Sequence, residues 1–219
     1  MLLHFELDTL DDTARLGSAL AELLRAGDTV ALEGDLGAGK TTLVRTIAGA
    51  RGIDTALVSS PTYVIVNEYP PARGTEPPVV HVDAYRLTSA EDLDALGWDR
   101  LADGSAIMLI EWPERIADAL PTGNTATLRL RTTGEESRAV EVDCPSAWES
   151  RDTFAALREM ALPPRTPTTC PVTGRPVPAD APTWPFASEQ ARMADLYKWF
   201  SGQHEISRPL DQRDLDEVE

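Results

Sequence analysis

Ala31-Leu-Glu-Gly-Asp-Leu-Gly-Ala-Gly-Lys-Thr-Thr42 decides how the rest of the chain is read. Gly34, Gly39, Lys40 and Thr41 fill the spacing G-x-x-x-x-G-K-[ST] of a phosphate-binding loop. The glycines let the backbone turn and approach phosphate oxygens with no Cβ in the way. Successive N–H groups from Asp35, Leu36, Gly37, Ala38, Gly39, Lys40, Thr41 and Thr42 would then form an anion nest where a helix begins, with the helix dipole favouring negative charge. Lys40 would reach the β- and γ-phosphates, and the Thr41 hydroxyl would ligate Mg²⁺. The flanks fit: Thr29–Glu33 has the apolar character of a buried strand, and Thr42–Ala48 continues as a helix with one apolar face. Lys40 and Lys198 are the only lysines in a chain that otherwise uses arginine. A compact ammonium is therefore placed where phosphates are expected.

The bulk numbers narrow the function classes. At 219 residues the chain holds one ordinary domain and a small appendage, and an apolar share of 42% is enough for a packed core. A net charge of −16 argues against a broad basic surface that clamps nucleic acid directly. Any action on RNA is expected to run through a partner. Cys144 and Cys170 give no disulfide framework, and neither a signal peptide nor a membrane-length apolar run is visible. A cytoplasmic location is the expectation.

Reading outward, Met1–Leu7 alternates as a strand, and Asp11–Ala26 has helical spacing with Gly27 as a stop. Beyond the loop, Pro61 interrupts Val58–Tyr63, and Val64–Glu68 reads as a strand. Val79–Asp83 and Ala106–Glu111 are continuous apolar strands that each end on a carboxylate. Thr88-Ser-Ala-Glu91 has the form of a capping box for a helix through Leu96, stopped by Gly97. Thr125–Arg131 and Arg138–Asp143 alternate as a hairpin around Gly134, and Ser146–Met160 reads as one last helix. Strands that alternate with helices and are apolar on both faces predict an α/β P-loop NTPase domain with a largely parallel core sheet. Ligands in such sheets bind at the carboxyl ends of the strands. The loop, Asp83 and Glu111 all fall there.

Hydrolysis of a nucleotide needs Mg²⁺ on the phosphate oxygens and a group that orients water. Glu111 closes a strand of the Walker B kind, so its carboxylate is expected on the Mg²⁺ side. Asp83 is placed to position or deprotonate the water. Ser60 and Thr62 offer hydroxyls on a Pro-bent segment able to sense the γ-phosphate. His81 is expected to pack beneath the site. A guanine-specific loop of the form [NT]-K-x-D is missing, since Lys40 follows Gly39 and Lys198 follows Tyr197; ATP is favoured. Arg73 and Arg86 do not make the lid that a small-molecule kinase needs.

Four motifs occur in order: G-D-L-G-A-G-K-T-T, S-P-T-Y at Ser60–Tyr63, H-V-D-A-Y-R at His81–Arg86 and L-I-E-W at Leu109–Trp112. Together they resemble the TsaE (YjeE) family over roughly residues 1–145. The resemblance implies an Mg²⁺-dependent ATPase of tRNA threonylcarbamoyladenosine modification that resets a complex with TsaD-like and TsaB-like proteins. By position, it implies Lys40, Asp83 and Glu111 as catalytic residues and Thr41 with Glu111 as the Mg²⁺ side. It also implies Ser60 to Thr62 as a switch and Thr9 near the adenine. The alternative is a nucleotide-dependent protein-binding module.

The domain is taken as residues 1–160, followed by a Pro/Thr linker over 161–169. Residues 170–206 are similar to the YacG family of small zinc proteins that inhibit gyrase, keeping Pro185, Phe186, Ser188, Asp195, Leu196 and Trp199. Of the four zinc positions only Cys170 survives; Thr173, Ala187 and Ala191 replace the rest. A structural zinc needs four ligands, His204 is the only other good donor nearby, and no zinc is expected. The segment is read as a remnant serving as a docking tail, anchored by Trp184, Phe186 and Trp199, with gyrase contact as the lesser option. An acidic tail occupies residues 207–219.

Overall fold

The computed structural model describes residues 1–58, 66–71, 74, 76–87, 90–121, 123–163, 166–179, 181 and 183–200. Ser60, Thr62 and the rest of the expected switch lie outside them, as do Thr88, Ser89, His204 and the acidic tail.

The chain runs β1 (Leu2–Leu7), α1 (Leu10–Leu23), β2 (Thr29–Glu33), α2 (Lys40–Ala50), β3 (Val66–Tyr69), β4 (Val79–Asp83), α3 (Ala90–Ala95) and α4 (Trp98–Leu101). It continues with β5 (Ile107–Glu111), β6 (Thr125–Thr132), β7 (Arg138–Asp143), α5 (Ser146–Glu149) and α6 (Phe154–Met160). One seven-stranded sheet has the order β1-β7-β6-β2-β5-β4-β3. Its centre, β6-β2-β5-β4, is parallel, while β7 and β1 on one side and β3 on the other are antiparallel. The apolar runs occupy this parallel centre because both faces there are covered.

Strand alternation sorts the side chains. Ile107, Leu109 and Val79 join the core that holds Leu16, Leu20, Leu43 and Ile47 of α1 and α2. Met108, Ile110, Val80 and Val82 join the opposite core with Leu93, Trp98 and Leu101. By the same period of two, His81, Asp83 and Glu111 fall on the face that carries α2. This parity aims the carboxylates at the phosphate loop.

Two helices differ from expectation. Instead of running to Ala26, α1 stops at Leu23, where Leu24 turns extended. The expected helix over Ser146–Met160 is two, α5 and α6. Tertiary contacts explain the break. Arg151 turns in to grip both oxygens of the fully buried Asp28 at 2.5 and 2.8 Å, and Trp148 donates its ring N–H to the same carboxylate at 3.2 Å. Losing one partner of such a buried pair costs about 3–5 kcal/mol, far more than a helical turn gains.

Cys144, at the end of β7, has its thiol pushed up to about 11 by burial. Unfolding returns it to the ordinary value near 9, so the unfolded state ionises first. The associated stability is complete below pH 9 and drains away toward pH 11. Between pH 8 and 11 the wild type is expected to lose about 2 kcal/mol more unfolding free energy than Cys144→Ser, read from urea midpoints. Equal losses would refute the assignment.

The chain divides into two compact units, Met1–Pro163 and Pro164–Glu219. In the second, β8 (Thr168–Thr169), inside the stretch read as a linker, pairs with β9 (Pro176–Val177), and α7 spans Glu189–Phe200. Cys170, Val177 and Ala191 form its small core, with Val172, Ala181, Trp184 and Phe186 against it. Burial pushes the Cys170 thiol up. Hydrogen bonds from the Thr173 side chain and the backbone of Ala187, Thr173 and Val172 outweigh this and hold it at about 7.

Candidate functional site

Between β2 and α2 the chain makes the expected loop. Gly34 takes φ 141°, and a Cβ there would stand 2.4 Å from the carbonyl oxygen of Leu130 on β6. Gly39 takes φ 102° as the N-cap of α2, with no side chain closing the helix end. The first N–H groups of α2 are thereby aimed into the loop.

Lys40 is 4% exposed. Its ammonium donates to the carbonyls of Gly34 at 2.6 Å and Asp35 at 3.0 Å, and lies 3.8 Å from the centre of the Trp112 ring. Burial pulls its pKa below the usual lysine value, opposed by Glu111, Glu114, Asp83 and Asp35. Thr41 donates its hydroxyl to Glu111, at 2.8 Å from Oε1 and 3.0 Å from Oε2. Asp83 stands beside Glu111 in register and caps the following turn by accepting from the Tyr85 N–H at 3.1 Å.

These residues line one cleft of about 410 Å³, with Leu36, Gly37, Gly39, Thr42, Tyr85, Arg86 and Trp112 completing its wall. A hard cation of Mg²⁺ size takes oxygen ligands, few of them from protein when phosphates are present. The Thr41 hydroxyl and Glu111 carboxylate, with Asp83 in the same cleft, supply such a donor set, so the residues fit Mg²⁺.

A second cavity, about 120 Å³, opens on the other side of the loop. Leu7, Leu10, Ala38, Leu43 and Leu130 give it an apolar wall, and Thr13, Glu135, Glu136 and Arg138 a polar edge. Thr9 precedes the lining residue Leu10 but is not itself in the wall, and its side chain is engaged in the capping box of α1 with Asp12.

Several participants were given no role in the site by the sequence. Arg138 donates to the Ala38 carbonyl at 3.1 Å, tying the loop to the β6–β7 turn across 100 residues of chain. Trp112 is the only non-glycine residue with positive φ among the described residues, at φ 60° and ψ 49°. That conformation costs about 1–3 kcal/mol and is held by its neighbours. The ring rests on Lys40 and on Tyr85, 5.0 Å between centroids. His81 does more than pack: it is fully buried, with Nε2 3.0 Å from Glu111 Oε1. Arg45 anchors the approach to the undescribed segment by donating to the Val58 carbonyl at 3.0 Å.

Comparison with known proteins gives a consistent family. Residues 7–140 match the family described as "Threonylcarbamoyl adenosine biosynthesis protein TsaE". The tRNA threonylcarbamoyladenosine biosynthesis protein TsaE of Streptomyces coelicolor is 42% identical over 134 residues, spanning 58% of this chain and 86% of that protein. The protein of the same name from Mycobacterium leprae is 42% identical over 118 residues, 52% of this chain and 73% of its own length. Among solved structures, Bacillus subtilis YdiB superposes with a TM-score of 0.57 at 26% identity, covering 73% of this chain and 95% of that one. Neither the second unit nor the YacG-like pattern falls inside the matched residues.

Proposed function

The chain belongs to the TsaE family, and from that membership we propose that it hydrolyses ATP to drive the threonylcarbamoyladenosine modification of tRNA. The observation that carries this reading is the meeting of Lys40, Thr41, Asp83 and Glu111 in one cleft beside the phosphate loop. Loop amides from Asp35 to Thr42 bind the phosphates, and Lys40 swings from the Gly34 and Asp35 carbonyls to the β- and γ-oxygens. Thr41 and Glu111 would hold Mg²⁺, which would supply positive charge to offset that of the phosphates. Asp83 orients the attacking water or takes its proton. The cavity behind Leu10 and Arg138 receives the base, and Ser60 to Thr62 senses the γ-phosphate.

With a net charge of −16 the chain reaches tRNA only through TsaD-like and TsaB-like proteins, in the cytoplasm. The C-terminal unit serves as a docking tail for a protein partner. Its former ligand position Ala191 packs apolar beside Cys170, which supports a metal-free core.

Phosphate release from ATP by the full chain tests the reading. Turnover is expected to be slow alone, faster with TsaD-like and TsaB-like proteins present, and slower with GTP than ATP. No ATP turnover under either condition would overturn it.

A further inference from the structure

Resting on that reading, we propose that His81 is a positioning residue that fixes the Glu111 carboxylate for the Mg²⁺–nucleotide complex. His81 sits in mid-strand on β4, opposite Leu109 and diagonal to Glu111 on the parallel neighbour β5. An imidazole at a fully buried strand position would ordinarily satisfy both nitrogens. Here Nε2 meets Glu111 Oε1 at 3.0 Å, while Nδ1 finds no partner among the described residues. A carboxylate only accepts, so the ring hydrogen in this contact is on Nε2.

An apolar residue would fill this position with no stranded nitrogen. Among the described residues the histidine leaves one polar atom unsatisfied and makes one side-chain hydrogen bond. That bond goes to a side chain which is itself 4% exposed and carries a charge. Among the described residues Glu111 has two side-chain donors: the Thr41 hydroxyl, which can give its single hydrogen to only one carboxylate oxygen at a time, and His81. Thr41 alone would leave the carboxylate free to rotate. His81 pins Oε1 from behind, on the side of the sheet core. The carboxylate then holds the Thr41 O–H, and the lone pairs of that hydroxyl are turned outward into the cleft. The relay His81 to Glu111 to Thr41 sets the direction of the oxygen that meets the metal.

Side-chain geometry supplies a matched test. Glutamine carries an amide nitrogen close to where Nε2 stands, and asparagine carries one only as far as Nδ1. The full chain is compared as wild type, His81→Gln, His81→Asn and His81→Leu. ATP binding is titrated by calorimetry in EDTA and across Mg²⁺ concentrations, and melting temperatures are taken without nucleotide. The Asn and Leu variants are expected to raise the Mg²⁺ concentration for half-maximal binding enhancement about tenfold, and Gln to stay near wild type. Affinity in EDTA is expected to change in none of them. A histidine that only fills the core would shift melting temperature across the series and leave the Mg²⁺ midpoint alone.

Equal Mg²⁺ midpoints for wild type and Asn, or a Gln variant as impaired as Asn, would overturn the proposal while the ATPase reading stands. Wild-type binding with no Mg²⁺ dependence would remove the ATPase reading and this inference together. Should the Leu variant not fold, the Gln–Asn pair decides alone.

Discussion

Lys40→Ala is expected to reduce ATP hydrolysis at least about a hundredfold, measured as phosphate release at saturating nucleotide. Lys40 is the only cation of the loop itself, and it waits in a nearly dry place against the Trp112 ring. A charge held there acts on phosphate through a low dielectric, where each interaction counts for more than in water. The two carbonyls of Gly34 and Asp35 form a cup at 2.6 and 3.0 Å that suits a compact ammonium. Lys40→Arg is therefore expected to fail as well, because a planar guanidinium cannot leave and re-enter that cup in the same way. Nucleotide affinity should fall less than turnover, since the backbone amides remain. Hydrolysis unchanged in Lys40→Ala would remove the lysine from the chemistry altogether.

Glu111→Gln is expected to separate stability from turnover. The substitution keeps shape and removes a charge from a residue that is 3% exposed. Burying a carboxylate costs free energy that its hydrogen bonds offset only in part. The variant should melt at the same temperature or higher. Its ATP hydrolysis should nonetheless drop about 10- to 100-fold, because an amide is a poor partner for Mg²⁺ and presents hydrogens toward Thr41 or His81. Calorimetric ATP binding in EDTA should survive. Full activity with a lowered melting temperature would mean that Glu111 is structural.

How much of this was legible before the fold was known depends on distance along the chain. The phosphate loop is a local device, so its spacing announced it, and the apolar runs that end at Asp83 and Glu111 announced the central strands. The α/β class and parallel centre followed from the same runs. The antiparallel hairpin of β6 and β7 showed in its alternation, but the pairing of β1 was harder to see, because β1 finds its partner β7 across almost the whole first unit. The helix read over Ser146–Met160 broke because Arg151 was needed by Asp28, a contact 123 residues away. At the site, alternation placed His81 on the correct face, but periodicity is silent about a diagonal hydrogen bond. Arg138 and Trp112 are the same case: one reaches a loop carbonyl, the other takes a backbone conformation that only its neighbours sustain. The Ser60–Thr62 assignment lies outside the described residues and stands as a proposal.

The pairing of β1 with β7 has a consequence for synthesis. Leu2 faces Asp143, and Arg138, which braces the loop, is the first residue of the same strand β7. A chain growing from its N-terminus carries the complete glycine-rich motif long before it owns the strands and arginine that brace it. Its first strand has no partner until β7 has left the ribosome, so the sheet closes late and its contact order is high. Nucleotide capture should therefore appear abruptly once residue 143 has cleared the ribosome, rather than when the motif itself emerges.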